Sequence, residues 1–307
     1  MFALLADPVY KEHLTGEGHP ERPERMDAVA AALERHGAIK DSLRIPVRAA
    51  TDDEIALCHT RPYIELVKRE VSGRAGTLST GDTQFGARSL EVARKAAGGV
   101  LNAVDAVLEG KARTAFCAVR PPGHHANAER GMGFCIFNNI AIAARHAQKK
   151  HGISKVLIVD WDVHHGNGTQ DIFYRDGSVF YFSTHQSPWY PGTGAADETG
   201  EGAGAGCTLN APCVAGSGRK VILAAFEEGL RPAMRKFKPD FVLISAGFDS
   251  RVGDPLGQLT LSDPDFADLT HIMLEIGGGR VVSVLEGGYS LSGLGAAAAA
   301  HVEALRG

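Results

Sequence analysis

Lys155-Val156-Leu157-Ile158-Val159-Asp160-Trp161-Asp162-Val163-His164-His165-Gly166 is the stretch from which the fold of this chain can be read. Its first half is short, apolar and unalternating, as expected of a strand buried on both faces of a parallel sheet. Its second half turns polar at once. Asp162 and His164 stand one residue apart, so on an extended backbone their side chains can point the same way. In open α/β sheets the ligand crevice lies beyond the carboxyl ends of the strands, which is where these residues would fall.

The same pattern recurs on either side. Runs at 114–119, 155–160, 179–183, 241–246 and 281–285 read as buried strands, and amphipathic segments at 87–108, 138–151, 219–237 and 263–277 read as helices. This alternation predicts an α/β fold: an open, mostly parallel sheet with helices on both faces, three layers in all. No Pro/Ser-rich linker, repeat or charge block interrupts the chain, which predicts one domain over residues 1–307. Four strand ends carry polar residues. Arg120-Pro121-Pro122-Gly123-His124-His125 follows the first run, Asp160–Gly166 ends the second, and Gly247-Phe248-Asp249 and Glu286-Gly287-Gly288-Tyr289 follow the last two.

Composition narrows the function classes. With 44% hydrophobic and 22% charged residues, the chain can bury a sizeable core. A net charge of −4 offers no basic footprint for nucleic acid. The stretch from Met1 to Pro8 lacks a basic n-region and reads as no signal peptide. No run approaches the ~18 apolar residues of a membrane span. The expectation is a soluble cytoplasmic protein without membrane or nucleic-acid partners. Cys58, Cys117, Cys135, Cys207 and Cys213 are odd in number and form no C-x-x-C pair, which argues against disulfides and a cysteine zinc site.

Asp162, His164 and Asp249 together make a donor set of two carboxylates and one imidazole. Such a set suits a catalytic Zn²⁺ with a coordination position left open, and Fe²⁺ could occupy the same ligands. The stiff Pro-Pro-Gly turn fixes where His124 and His125 point. Adjacent histidines can divide general acid and base work if unequal partners, such as Asp160 and Asn167, push their pKa values apart. Tyr289 could donate to an oxyanion.

The motifs at 120–125, Gly131-Met132-Gly133-Phe134-Cys135, 160–166, 247–249 and 286–289, with His19-Pro20-Glu21-Arg22-Pro23-Glu24-Arg25 near the start, resemble the histone deacetylase family in content and order. The resemblance spans nearly the whole chain and implies an arginase-like fold. It implies Asp162, His164 and Asp249 as zinc ligands, and His125 as general base and acid with His124 assisting electrostatically. Asp160 would orient His124, Asn167 would orient His125, and Tyr289 would polarise the scissile carbonyl. Asn167 replaces the Asp of class I members, so the chain looks closer to class II, its bacterial relatives and the acetylpolyamine amidohydrolases. A structural K⁺ site is implied at Asp160, Asp162, His164 and Ser183. Phe134 and Tyr190 would line the substrate tunnel with Gly133 at its floor; Tyr190 departs from the usual hydroxyl-free aromatic. Leu256 stands where polyamine-selective relatives carry an acidic gatekeeper, and Asp82 matches the substrate-holding residue at the rim.

The resemblance implies a zinc-dependent deacetylase acting on acyl-lysine proteins or peptides, through metal-activated water, a histidine acid–base and a tyrosine oxyanion donor. The alternative is deacetylation of acetylpolyamines or other small amines. A non-catalytic acyl-lysine-binding module would have no need for the complete proton-transfer set. Gly166 at the fifth position of Asp-x-His-x-Asp removes the ligand that a binuclear site needs, which argues against a guanidine hydrolase.

Overall fold

The computed structural model describes residues 1–40 and 42–307. Its main sheet has eight strands, all parallel. In chain order the first elements are β1 (Phe2–Ala6), α1 (Glu24–Arg35), β2 (Leu43–Arg44), α2 (Asp52–Ile55) and α3 (Arg61–Val71). A small antiparallel pair, β3 (Gly76–Thr77) and β4 (Gln84–Phe85), lies outside the sheet. Then come α4 (Ser89–Leu108), β5 (Thr114–Ala118), α5 (Asn139–His151), β6 (Val156–Asp160), α6 (Asn167–Phe173), β7 (Val179–Gln186) and β8 (Thr208–Cys213). The chain closes with α7 (Arg219–Ala224), α8 (Arg231–Phe237), β9 (Phe241–Ala246), α9 (Asp263–Ile276), β10 (Val281–Leu285) and α10 (Leu291–Arg306). No helix among the described residues is long and apolar enough to cross a membrane.

The strand order is β2-β1-β5-β10-β9-β6-β7-β8. From β5 the chain steps through α5 to β6 in one direction along this order, and from β9 it steps through α9 to β10 in the other. Since βαβ crossovers are right-handed, opposite steps put their helices on opposite faces. The packing agrees: α4 packs on α5, while α1, α9 and α10 pack together. The three-layer α/β architecture follows.

The crossovers diverge between β6 and β9, neighbours in the sheet with Asp160 opposite Ser245. A crevice opens where such connections part, at the strands' carboxyl ends. The loop after β6 carries Asp162 and His164, and the loop after β9 carries Asp249. Every residue of β5, β6, β9 and β10 is buried, so the platform beneath these loops is rigid and dry.

The segment expected as one helix at 219–237 is interrupted. Residues Ala225–Leu230 form a π-helical turn between α7 and α8. Pro232 lacks the N–H that would continue the i→i−4 ladder, which favours a widened turn just before it.

Candidate active site

The three expected metal ligands converge. One donor atom from each of Asp162, His164 and Asp249 lies within 4.8 Å of the others. His164 Nδ1 faces Asp162 Oδ1 at 2.9 Å and Asp249 Oδ2 at 3.3 Å. The remaining carboxylate oxygens are held by backbone amides: Gly287 N–H donates to Asp162 Oδ2 at 2.7 Å, and Val163 N–H to Asp249 Oδ1 at 2.9 Å. Asp249 Oδ2 is buried and accepts no hydrogen bond among the described residues.

Two fully buried carboxylates this close need a positive charge between them. Burial, then the Asp162 charge, push Asp249 up to about 7. Burial works against a charge on His164, yet Asp162 and Asp249 raise it to about 10. Gly247 and Gly287 keep the carboxylates uncovered: a Cβ on Gly247 would strike Asp162, and one on Gly287 would strike Asp249 and Asp162. The orphaned oxygen, the excess negative charge and this glycine cradle fit a divalent cation.

Asp105, His146 and His151 form a second cluster whose donor types could hold a metal. Here Asp105 Oδ1 takes both imidazoles at 2.7 Å, and the Lys150 ammonium sits on Oδ2 at 2.6 Å. The lysine already supplies the cation, so this cluster reads as an ion-pair network joining α4 to α5.

The two histidines of the Pro-Pro-Gly turn lie side by side, with ring centroids 4.0 Å apart and planes tilted by 44°. His124 Nδ1 donates to Asp160 Oδ2 at 3.0 Å, and its Nε2 lies 3.9 Å from Asp162. Burial disfavours its charge, but Asp160 and Asp162 prevail and hold His124 at about 10. His125 Nδ1 meets Asn167 Oδ1 at 2.8 Å. Its neutral partner cannot offset burial and the neighbouring His124 and His164, so His125 sits well below the usual histidine value. The environments of the pair are driven apart, and because Asn167 Oδ1 can only accept, Nδ1 of His125 carries the proton and Nε2 is free.

Tyr289 is buried beside Phe134, with ring centroids 6.0 Å apart. Burial, then the Asp249 charge, keep its phenol protonated. A cavity of about 240 Å³ reaches these groups, lined by Asp82, His125, Gly133, Phe134, His164, Trp189, Tyr190, Leu256 and Tyr289. All five expected substrate-contacting residues line it. A Cβ on Gly133 would collide with the His125 ring, so only glycine allows this approach. Asp82 accepts from Gly133 N–H at 2.7 Å and lies 3.5 Å from the Tyr190 hydroxyl, tying the extra hydroxyl of Tyr190 to the rim. For the expected K⁺ residues, Asp160 and Ser183 stand opposite each other in the β6–β7 register, and Asp162 and His164 lie in the loop beyond. Gly166 packs against Asp160 and the Tyr181 hydroxyl, leaving no room for a ligand in place of its hydrogen.

Several participants carry no sequence signal of their role. Tyr181 donates to Asp160 Oδ2 at 3.2 Å. Glu286 accepts from Gly123 N–H at 2.7 Å and His124 N–H at 3.2 Å, fixing the histidine turn. Trp189 Nε1 donates to the Leu256 carbonyl at 2.8 Å, joining two tunnel walls. Arg25 donates to the carbonyls of Gly288 and Glu286 at 2.7 and 2.6 Å and lies 5.0 Å over the Tyr289 ring.

Residues 19–305 match the model of the histone deacetylase domain. The chain is 42% identical over 294 residues to "Histone deacetylase 15" of Arabidopsis thaliana, covering 94% of this chain and 53% of that protein. It is 41% identical over 320 residues to "Polyamine deacetylase HDAC10" of Homo sapiens, covering 97% and 48% respectively. It is also similar to the crystal structure of the HDA15 HD domain, with a TM-score of 0.95 and 40% identity over 99% of this chain and 91% of that one. The chain spans about half the length of the two curated relatives it matches here.

Proposed function

The chain belongs to the histone deacetylase family, and from that premise we propose that residues 1–307 act as one catalytic domain, a zinc-dependent amidohydrolase that removes acetyl or related acyl groups from acyl-lysine side chains. The observation that carries the reading is the meeting, at one narrow cavity, of a cation-seeking triad, an unequal histidine pair and a protonated phenol.

Asp162, His164 and Asp249 would hold Zn²⁺, and Fe²⁺ suits the same donors. Bound there, the ion supplies Lewis acidity toward water and the scissile carbonyl. His125 takes the attacking water's proton at Nε2, since its Nδ1–H is committed to Asn167. His124, charged and anchored on Asp160, stabilises the negative charge that develops beside it. The His125 imidazolium then protonates the leaving amine. Tyr289 keeps its proton and donates it in a hydrogen bond to the oxyanion. The apolar walls contributed by Phe134 and Leu256 accept an alkyl stem, and Asp82 stands at the rim to receive a polar group of the substrate. A structural K⁺ beside Asp160, Asp162, His164 and Ser183, and a cytoplasmic location without nucleic-acid or membrane partners, belong to the same proposal.

A second reading, deacetylation of acetylated polyamines or other small amines, is favoured by the similarity to a polyamine deacetylase and disfavoured by the apolar Leu256 in the cavity wall. The test is turnover by the purified, zinc-loaded chain on acetyl-lysine peptides, longer acyl-lysines and acetylated polyamines, each with a chelated control. Chelator-sensitive turnover of peptides supports the first reading, and turnover of small amines alone moves the function to the second. Silence on every substrate, with metal bound, overturns both.

A further inference from the structure

We propose that Asp254 is a positioning residue for Tyr289: its buried carboxylate ties the phenol-bearing turn and the tunnel wall at Leu256 into one piece. The inference rests on the reading of Tyr289 as oxyanion donor. Asp254 Oδ2 accepts from the backbone N–H of Tyr289 at 2.7 Å and of Ser290 at 3.0 Å. Its Oδ1 accepts from Leu256 N–H at 2.9 Å. All three donors are backbone amides, so the carboxylate fixes the path of the chain itself.

That path needs fixing. Tyr289 follows Gly287 and Gly288, and Gly288 has a φ of 117°, outside the range of ordinary residues. A Gly-Gly pair has little preference of its own for one route, and an oxyanion donor must be held close to its mark to be effective. Ser290 is also the N-cap of α10, where a carboxylate on the first free amides is favoured by the helix dipole. At the other end, Leu256 lines the same cavity as Tyr289, and its carbonyl receives the Trp189 indole N–H. Asp254 does not line the cavity and is 8% exposed, so its influence on the reaction passes through the residues it holds.

A purely structural cap and a positioning residue differ in one respect. Only the second acts through Tyr289. The experiment is a double-mutant cycle of Asp254→Asn and Tyr289→Phe, with backbone hydrogen exchange measured on each full-length variant. Asparagine keeps one acceptor oxygen and turns the other into a donor, so at least one set of amides loses its partner. The single variant Asp254→Asn is expected to lose about 10- to 100-fold in turnover, the scale of a slightly misplaced catalytic group. The loss should fall mainly on kcat rather than KM, because the Tyr289 bond is made in the transition state. In the Tyr289→Phe background, Asp254→Asn should then cost nothing further. The amides of Tyr289 and Ser290 should exchange at least about tenfold faster while β10 keeps its protection. Equal losses in both backgrounds, or unaltered exchange at residues 289 and 290, overturn the proposal. Asp254→Ser, which retains one acceptor, serves if the asparagine variant does not fold. If the wild-type chain turns over no acyl-amine, the reading of Tyr289 falls on its own, and the exchange measurement still decides whether Asp254 holds the turn.

Discussion

Tyr289 and Leu256 face the same cavity, and at each position a change of polar atoms separates two outcomes. Removing the phenolic oxygen of Tyr289 leaves the ring packed against Phe134 and Arg25 and deletes only a donor. Tyr289→Phe is therefore expected to lower kcat by about 10²–10³, the range for a single oxyanion donor, with thermal stability nearly unchanged. Full retention of kcat would remove the residue from the mechanism. At Leu256 the change runs the other way. Leu256→Glu puts a carboxylate into an apolar wall that a cationic chain must pass. A charge-assisted bond to an ammonium contributes about 1.5–3 kcal/mol, so kcat/KM for acetylated polyamines should rise at least about tenfold relative to acetyl-lysine peptides. An unchanged ratio would mean that selectivity is set elsewhere on the rim.

Among the elements, the turn after β10 has a brace that the sequence conceals. Arg25, on α1, reaches Gly288 across 263 residues of chain, and Glu21 holds it in place at 2.9 Å. Arg120 forks onto the same carboxylate, and all three side chains are fully buried. Among the described residues Glu21 is the one carboxylate that both guanidiniums ion-pair with, so Glu21→Gln leaves buried cations without their counter-charge. The expected cost is about 3–5 kcal/mol, read from chemical denaturation, and larger than for any surface ion pair in this chain. A loss under about 1 kcal/mol, the scale of an exposed pair, would show that water screens the network. The contrast with the candidate metal ligands explains what was legible. Asp162, His164 and Asp249 each lie just past the end of an apolar run, in the loops after β6 and β9, so their place in the fold can be read from their place in the chain. Arg25, Glu286, Trp189 and Asp254 act on backbone atoms of distant segments, which no local pattern encodes. The missed strands have similar causes. β1 precedes the first helix, so no strand–helix alternation leads up to it to mark it. β8 is an edge strand containing Pro212 with mixed burial, so it lacks the continuous apolar run that marked its neighbours.

For the whole molecule, the histidines buried away from the site contribute to the response to acid. His301 joins α10 to β10 and α9 through Ser283 Oγ at 2.8 Å and Thr270, and burial lowers it to about 3. His59 receives the Asn138 N–H at 2.9 Å beneath Tyr63 and Phe137, and burial lowers it to about 4. In the unfolded chain both titrate near 6.5, the ordinary histidine value. Between 6.5 and 4, therefore, the unfolded chain binds protons that the folded protein refuses. The contribution of these two residues to stability falls as pH falls, by about 1.4 kcal/mol per pH unit for each histidine once its unfolded form is charged. Above pH 7 neither residue contributes a slope. The carboxylate of Glu21, held well below its usual range by Arg120 and Arg25 despite burial, adds a further loss below about 4.5. Denaturation curves at half-unit steps from pH 7.5 to 4.5, on the wild-type chain and on a His301 variant, isolate this contribution from that of the other buried groups. His301→Gln, which cannot take up a proton, should be less stable at neutral pH yet show a slope shallower by about 1.4 kcal/mol per pH unit. If that variant keeps the full acid slope, the protons enter elsewhere, and His301 is not held neutral by the fold.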